Sequence, residues 1–234
     1  SRTTRAMGGA LVQGPEMIRD RLLALAAELL GAAPEDLVLT EGAVALRSDP
    51  ATRMTVQDVF WRTRTGSISG HGEVLTTGGL DAETGQGVAS DHWHQGAAGA
   101  EVEVDLDTGK VYVKHLHVIA HAGQVVNPKL ADMQMHGSAL FGIGHTLYEE
   151  LVYEDGMLTN PNLSDYSIPA MDDLPEVLQV EYLEDETPGN IHGLGETVLP
   201  PVIAAIGNAV NAAVGGRVRS LPITPERVLR ARKS

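Results

Sequence analysis

A glutamate that follows two glycines lies just before the last strongly helical part of the sequence. Residues 193–197 read Gly-Leu-Gly-Glu-Thr, and the two glycines let the backbone turn tightly and approach a ligand closely. A helix N-terminus favours the ionised form of a nearby carboxylate, and an ionised carboxylate held on a loop is what a general base requires. Residue chemistry alone favours a simpler role for Glu196 as a helix cap, so both roles stay open at this point.

The first residues of the chain carry groups that suit a phosphate. Hydroxyls, a guanidinium and the glycine pair Gly8-Gly9 precede the first predicted helix, where exposed backbone N–H groups also attract anions. A frayed polar terminus would show the same residues, so that interpretation stays open. Because the chain opens abruptly and without methionine, we expect a processed, cloned or split fragment. The four candidate residues are Ser1, Arg2, Thr3 and Thr4.

The remaining candidates are one glutamine and two histidine pairs. Gln134 offers both a donor and an acceptor, which suits the polar edge of a cofactor as well as an ordinary helical position. His92 with His94, and His115 with His117, occupy alternate positions, and each pair could share a metal on one strand face. No HExxH spacing accompanies them, so we expect these imidazoles to find hydrogen-bond partners and expect no metal ligated by protein side chains.

The composition excludes several classes of protein. The chain has 31 acidic and 17 basic residues, and its net charge of −14 repels nucleic acid and anionic lipid surfaces. Its 234 residues, 43% of them hydrophobic and 21% charged, are typical of a globular protein with a sizeable core. The absence of cysteine excludes disulfides, thiolate nucleophiles and cysteine-ligated iron–sulfur clusters within this chain. No apolar run reaches the length of a membrane span, and we expect a cytoplasmic protein without a signal peptide.

Periodic patterns predict mixed helices and strands without a βαβ repeat, which is the α+β class with mixed sheets and packed helices. Pro15 suits a first helical turn and Gly31 a helix stop. Gly137, Gly142 and Gly144 fall inside one predicted helix, and we expect close packing to be the reason for each. The predicted helices are 15–30, 56–61 (opened by Thr55 and Asp58), 127 or 128 to 150, and 199–213 (with Pro200 and Pro201 in its first turn). The predicted strands are 37–46 (a hairpin turning at 41–42), 100–105 with 110–120 (turning at 107–109) and 177–183, with a further turn at 154–156 and loops over 65–95.

The order and spacing of these segments resemble the molybdenum hydroxylase family. This family includes xanthine dehydrogenase, aldehyde oxidoreductase, nicotine-type dehydrogenases and the large subunit of aerobic carbon monoxide dehydrogenase. Residues 1–234 are similar to a C-terminal portion of its molybdenum cofactor-binding domain, and a subdivision near residue 96 stays open. One departure is the stretch 121–124, His-Ala-Gly-Gln, where the family often has Asp-x-Gly before its Asn-Pro pair. The matching segments are 1–4, 98–105, 108–109, 126–128, 134–137, 148–150, 165–169, 193–196 and 221–228.

The resemblance implies a molybdenum-dependent oxidoreductase. Molybdenum would be held by the dithiolene of a pyranopterin (molybdopterin), commonly in its cytosine dinucleotide form, and not by protein side chains. Glu196 matches the family's general base, which activates water-derived oxygen for attack on an electron-poor carbon. The positions that match the surroundings of the pterin or its phosphate tail are Ser1, Arg2, Thr3, Thr4, Gly99, Gln134 and Gly195.

The resemblance also implies partners. We expect the remaining part of the large subunit, an iron–sulfur subunit and a flavin subunit, with FAD and 2Fe–2S clusters on those other chains or domains. The substrate is a small molecule and stays open among purines, aldehydes, N-heterocycles and carbon monoxide. We expect the chain alone to be weakly stable or to aggregate, because cofactor and partner surfaces would be exposed. Two alternatives remain, a non-catalytic fragment or assembly module of such a subunit and a histidine-ligated metalloenzyme.

Overall fold

The computed structural model describes residues 3–75, 78–90, 93–186 and 189–233 of the chain. The chain forms two compact units, divided between Ala89 and Ser90. Both units combine helices and strands, which confirms the predicted α+β class. In the described ranges no helix is both long enough and apolar enough to cross a membrane.

The N-terminal unit packs helices against a small antiparallel sheet. Its elements are a π-helical segment at Thr3–Met7, α1 (Gly8–Leu30), a 3-10 turn at Pro34–Asp36, β1 (Leu37–Thr40), β2 (Ala43–Leu46), β3 (Arg53–Thr55), α2 (Val56–Thr63), β4 (Gly79–Leu80) and β5 (Gly87–Val88). The turn between β1 and β2 places Glu41 and Gly42 at positive φ, as the predicted hairpin requires. Leu22 of α1, Leu37 of β1 and Val59 of α2 meet in the core of this unit.

Helix α1 begins earlier than predicted, at Gly8 instead of Pro15, and Pro15 lies inside the helix. The reason is a tertiary contact, because a neighbouring loop of the same unit lies against the first turns. A Cβ placed on Gly70 of that loop would lie 2.1 Å from the Gly14 carbonyl oxygen. The preference of proline for a first helical turn takes no account of this contact, so it predicted the start of α1 too late in the sequence. The predicted end is confirmed, since Gly31 stops α1 with a left-handed φ of 64°.

The C-terminal unit consists of a three-stranded sheet with helices on one face. Its elements are β6 (Gly96–Val104), β7 (Val111–Gly123), α3 (Pro128–Leu147), β8 (Tyr153–Glu154), β9 (Met157–Leu158), a 3-10 turn at Met171–Asp173, β10 (Val177–Glu184), α4 (Leu199–Val214) and α5 (Pro225–Ala231). The strand order is β10-β7-β6, with β7 antiparallel to β6 and parallel to β10. The predicted hairpin, the strand near 177–183 and the last long helix are therefore confirmed.

Alternation along the strands decides which face of this sheet is covered. Ala98 and Ala100 of β6 pack against the core that α3 and α4 complete, so the residue between them lies on the opposite face. The two helices approach closely, because a Cβ placed on Gly142 would lie 2.6 Å from the Val202 Cβ. Gly144 is also tightly surrounded, but the expectation of close packing at Gly137 is wrong, since a Cβ there would meet no other part of the described structure.

Helix α3 ends at Leu147, three residues before the predicted end at Glu150. The backbone N–H groups of Tyr148 and Glu149 both donate to the Gly144 carbonyl at 2.9 Å, which closes the last turn. Glu149 then accepts a hydrogen bond of 2.5 Å from the Tyr166 hydroxyl, outside the helix. Since Tyr166 is distant in sequence, the helical pattern that continues to residue 150 does not reveal this stop.

Candidate active site

The turn that carries Glu196 leads directly into α4. The turn comprises residues 195–198, and the N–H of Leu199 donates to the Glu196 carbonyl at 3.4 Å. The Thr197 hydroxyl donates to the Gly193 carbonyl at 2.7 Å and closes the segment on itself. Residues 193–197 form the Glu196 segment. Its predicted place immediately before the last long helix is confirmed.

The Glu196 carboxylate is exposed and, within the described residues, makes no hydrogen bond or ion pair. The N-cap residue of α4 is Val198, which makes no side-chain capping bond. The helix-capping role that residue chemistry favoured for Glu196 is therefore wrong. The physical reason lies in the first turn, where Pro200 and Pro201 occupy the two positions that would donate to a cap and have no N–H group.

Thr197, the neighbour of Glu196, is buried and hydrogen-bonded to a distant part of the chain. Its side chain is only 3% exposed, and its Oγ1 lies 2.8 Å from the Nδ1 of His94. Gly96, at the start of β6, also lies against this turn, because a Cβ there would be 2.9 Å from the Thr197 carbonyl oxygen. The predictions missed the role of Thr197. Its only sequence signal was a hydroxyl residue directly after the glutamate.

A polar cluster holds the chain that leads into the Glu196 segment. His121 Nε2, near the end of β7, lies 2.7 Å from Asp185 Oδ1, and the Asn190 side-chain amide donates to Asp185 Oδ2 at 2.7 Å. These bonds, with that of His121 the stronger influence, hold the pKa of the Asp185 carboxyl below its usual value. The rings of His121 and His192 meet edge to face, with their centroids 4.5 Å apart. The sequence showed His121 only as a departure from the family pattern and did not reveal this cluster.

Gln134 lies on the outer face of α3. Its side chain is exposed and makes no hydrogen bond within the described residues. The exposed apolar side chains of Leu130, Met133 and Phe141 share this face at helical spacing. One turn after Gln134, the buried Ser138 hydroxyl has no hydrogen-bond partner in the described part of the chain. The outer face of α3 thus combines the exposed Gln134 amide with exposed apolar side chains, whereas Ser138 lies in the interior.

The two predicted site glycines lie in different settings. Gly195 immediately precedes Glu196 in the turn and is half-buried. Gly99 lies in β6, paired with His117 of β7, on the sheet face opposite α3 and α4. A Cβ placed on Gly99 would meet no other part of the described structure, so this position is open. Gly195 thus adjoins Glu196 in the turn, whereas Gly99 occupies an open position on the uncovered face of β6.

Of the four proposed phosphate-binding residues, Thr3 and Thr4 belong to the N-terminal unit. Thr3 and Thr4 are exposed and begin the π-helical segment that precedes α1. Ser1 and Arg2 lie outside the described residues.

The described histidines of the two predicted pairs each contact a different side chain. His115 pairs with Glu101 at 3.0 Å, and His117 pairs with Glu181 at 3.0 Å. His94 bonds to Thr197, whereas its predicted partner His92 lies outside the described residues. Across the described ranges, no three histidine, aspartate or glutamate side chains gather as metal ligands would.

Comparison with protein families shows one matching domain. A family model described as a molybdopterin cofactor-binding domain matches residues 1–175. The putative xanthine dehydrogenase molybdenum-binding subunit of Escherichia coli is 31% identical, over 97% of this chain and 30% of its own length. The nicotine 6-hydroxylase large subunit of Paenarthrobacter nicotinovorans is also 31% identical, over 100% of this chain and 29% of its own length.

A solved structure shows the same likeness. Quinoline 2-oxidoreductase from Pseudomonas putida 86 matches with a TM-score of 0.66 and 30% identity, over 92% of this chain and 28% of that chain. The chain thus spans about 30% of the length of the curated relatives that it matches.

Proposed function

Because this chain belongs to the molybdopterin cofactor-binding domain family of molybdenum hydroxylase large subunits, we propose that it forms part of a molybdopterin-dependent hydroxylase or dehydrogenase. This enzyme oxidises a carbon centre with water-derived oxygen, and Glu196 is its general base. The observation that carries this assignment is an exposed carboxylate without a described partner on a turn that is itself anchored by a buried hydroxyl.

The environment of Glu196 suits proton transfer. The Glu196 carboxylate is exposed and has no hydrogen-bond or ion-pair partner within the described residues, so its oxygens are accessible to a reacting molecule. A general base must also be held within hydrogen-bond reach of the proton that it takes. We infer that a Glu196 carboxylate oxygen accepts a proton from the water-derived oxygen as that oxygen attacks the substrate carbon.

The described residues fit a pterin cofactor. A pterin edge presents donors and acceptors, and the exposed Gln134 amide can satisfy both kinds. When bound, the cofactor supplies the molybdenum centre that activates water-derived oxygen and takes up two electrons. We assign pterin contacts to Gln134, Gly99 and Gly195. The phosphate tail, in the cytosine dinucleotide form, is assigned to Thr3 and Thr4 with Ser1 and Arg2.

Exposed apolar surface supports the proposed partners. Leu130, Met133 and Phe141 flank Gln134 on α3, and solvent-exposed apolar side chains at this spacing favour association with another protein surface. Since the chain spans about 30% of its relatives, we assign this surface to the remaining part of the large subunit. Iron–sulfur and flavin subunits, carrying 2Fe–2S clusters and FAD, would complete the enzyme.

The test is Glu196→Gln in the intact large subunit with its partner subunits. We expect molybdenum and pterin contents to stay at the wild-type level while turnover falls by about 10²- to 10⁴-fold, the range for loss of a general base. Glu154→Gln, at an exposed carboxylate in the β8–β9 hairpin, is the matched control and should leave turnover unchanged. Near-normal turnover of Glu196→Gln with full cofactor content would exclude the assigned role and favour a non-catalytic module.

A further inference from the structure

We propose that His94 is a positioning residue for Glu196 and that it acts through the hydroxyl of Thr197. The two residues are 103 positions apart in sequence, and their side chains lie 2.8 Å apart. This inference rests on the proposed role of Glu196 as a base, whereas the hydrogen-bonded arrangement itself is a property of the fold.

The direction of each hydrogen bond follows from the atoms involved. A carbonyl oxygen only accepts, so the single hydroxyl proton of Thr197 is donated to the Gly193 carbonyl at 2.7 Å. The Thr197 oxygen must then accept from His94, and His94 must carry its proton on Nδ1.

The hydrogen bonds of Thr197 to Gly193 and His94 are important because few other contacts fix the backbone at Glu196. Its own side chain has no described partner, and the residue before it is Gly195, which contributes no side chain. Thr197 is therefore the adjacent residue whose side chain can anchor the backbone at Glu196. It is 3% exposed and bonds both to its own segment and to His94.

The start of β6 supplies a second contact at the same place. Gly96, two residues after His94, lies so close that a Cβ there would be 2.9 Å from the Thr197 carbonyl oxygen. The imidazole of His94, just before β6, and the backbone of Gly96, the first residue of β6, thus both contact Thr197. We infer that β6 sets the position of the Glu196 segment, with His94 providing the directional bond.

The experiment compares four variants in the intact holoenzyme. Thr197→Val keeps the side-chain shape but removes the hydroxyl, and His94→Leu removes the donor. We expect each to lower kcat by about 10- to 100-fold, the size of effect that a small misplacement of a catalytic group produces. KM, molybdenum content and pterin content should stay close to wild type. Thr197→Ser and His94→Asn, which restore a hydroxyl and an N–H at the corresponding positions, should recover most of the lost turnover.

A readout independent of activity is amide hydrogen exchange in the peptide that covers residues 193–199. We expect exchange to become about fivefold faster or more in Thr197→Val and His94→Leu, because a hydrogen bond that holds the segment is lost. The matched control is Thr146→Val, since the buried Thr146 hydroxyl also bonds to a carbonyl four residues earlier, at 2.5 Å, but has no histidine partner. This control should leave both turnover and exchange in 193–199 unchanged.

The outcomes separate this inference from the proposed function. Normal kcat and unchanged exchange in Thr197→Val and His94→Leu would overturn the positioning role, even if Glu196→Gln is inactive. Loss of kcat without rescue by Thr197→Ser and His94→Asn would also overturn it, because the hydrogen bond would then not be the cause. Conversely, faster exchange in 193–199 together with an active Glu196→Gln would uphold the anchoring bonds and reject Glu196 as the base.

Discussion

The starts of α3 and α4 are built in opposite ways. At α3 the side chain of Asn127 accepts the N–H of Leu130 at 3.1 Å, so the helix is capped by a residue three positions away. At α4 the N-cap residue Val198 makes no side-chain cap, and the turn before it is held by the bond from His94 to Thr197. One helix start is therefore secured locally and the other by a residue 103 positions distant.

Proline placement explains the difference. In α3, Pro128 occupies the first helical position and leaves the later N–H groups free to donate to the cap. In α4, Pro200 and Pro201 take the second and third positions and remove both donors. A capping side chain would gain nothing there. Glu196, two residues before the N-cap, makes no capping bond, and its carboxylate has no hydrogen-bond or ion-pair partner within the described residues.

Of the changes that compare the two helix starts, shortening the Glu196 side chain should have the largest effect. Glu196→Asp keeps the charge but withdraws the carboxylate by one methylene, and we expect turnover of the intact enzyme to fall by about 100-fold because the base is misplaced. Molybdenum content and melting temperature should not change, since the side chain makes no described contact. Steady-state kinetics of the holoenzyme measure the turnover, metal analysis measures the molybdenum content, and thermal melting measures the stability. A lower melting temperature would mean that Glu196 also has a structural role and would weaken the contrast with α3.

A substitution at the N-cap of α4 tests whether the two prolines explain the missing cap, and its expected effect is the next in size. Val198→Thr introduces a hydroxyl of nearly the same shape at the N-cap of α4, where Val198 is fully buried. With prolines at the donor positions the hydroxyl finds no capping partner, so we expect a loss of about 1–3 kcal/mol for a buried polar group. The melting temperature of the intact subunit should fall. A rise would show that the hydroxyl does cap α4 and that the proline argument fails.

A smaller effect is expected at the capped helix. Asn127→Ala removes the side-chain acceptor for Leu130 and should cost about 1 kcal/mol locally. Amide exchange in the first turn of α3 should become about fivefold faster, while exchange in residues 193–199 stays at the wild-type rate. Equal acceleration in both regions would show that the two helix starts are coupled and not independently secured.

The smallest effect concerns pH and the cluster of Asp185. The pKa of this carboxyl is lowered in the folded state, mainly by the hydrogen bond from His121 and then by that from Asn190. Its contribution to stability is therefore present above the unfolded pKa of about 3.9 and is lost as the pH falls through the lower folded value. Asp185→Asn should lower the melting temperature above about pH 4, and the difference from wild type should narrow on further acidification. If the difference in melting temperature between Asp185→Asn and wild type widened as the pH fell, the lowered pKa of Asp185 would not be the source of the stability.

Local rules predicted the elements whose boundaries are set within a few residues. Gly31 stops α1 through its left-handed φ, and Thr55 opens α2 by accepting the Asp58 N–H at 3.1 Å. The hairpin at Glu41 and Gly42 and the alternation of β6 and β7 follow from the same short-range preferences. Errors occurred where a distant contact decided, as at the start of α1 against Gly70.

In the candidate site, too, the features set by neighbouring residues were predictable and those set by distant contacts were not. The glycine pair and Glu196 are visible in the sequence as a turn before a helix, but the cap was excluded only when the structure placed the N-cap at Val198. The partners of this turn are not visible. The sequence presented His94 as one of two histidines that could share a metal, whereas in the structure it contacts the hydroxyl of Thr197, 103 positions away.

By itself, the sequence determined the α+β class, the family resemblance and the place of Glu196 on a glycine turn before the last long helix. These depend on composition, periodicity and turn residues, which act over short distances along the chain. Only the tertiary structure decided that Glu196 lacks a described partner, that Thr197 anchors its turn and that Asp185 joins His121. Such contacts form when strands and helices pack, and no local preference encodes which of the nine histidines will meet which acceptor.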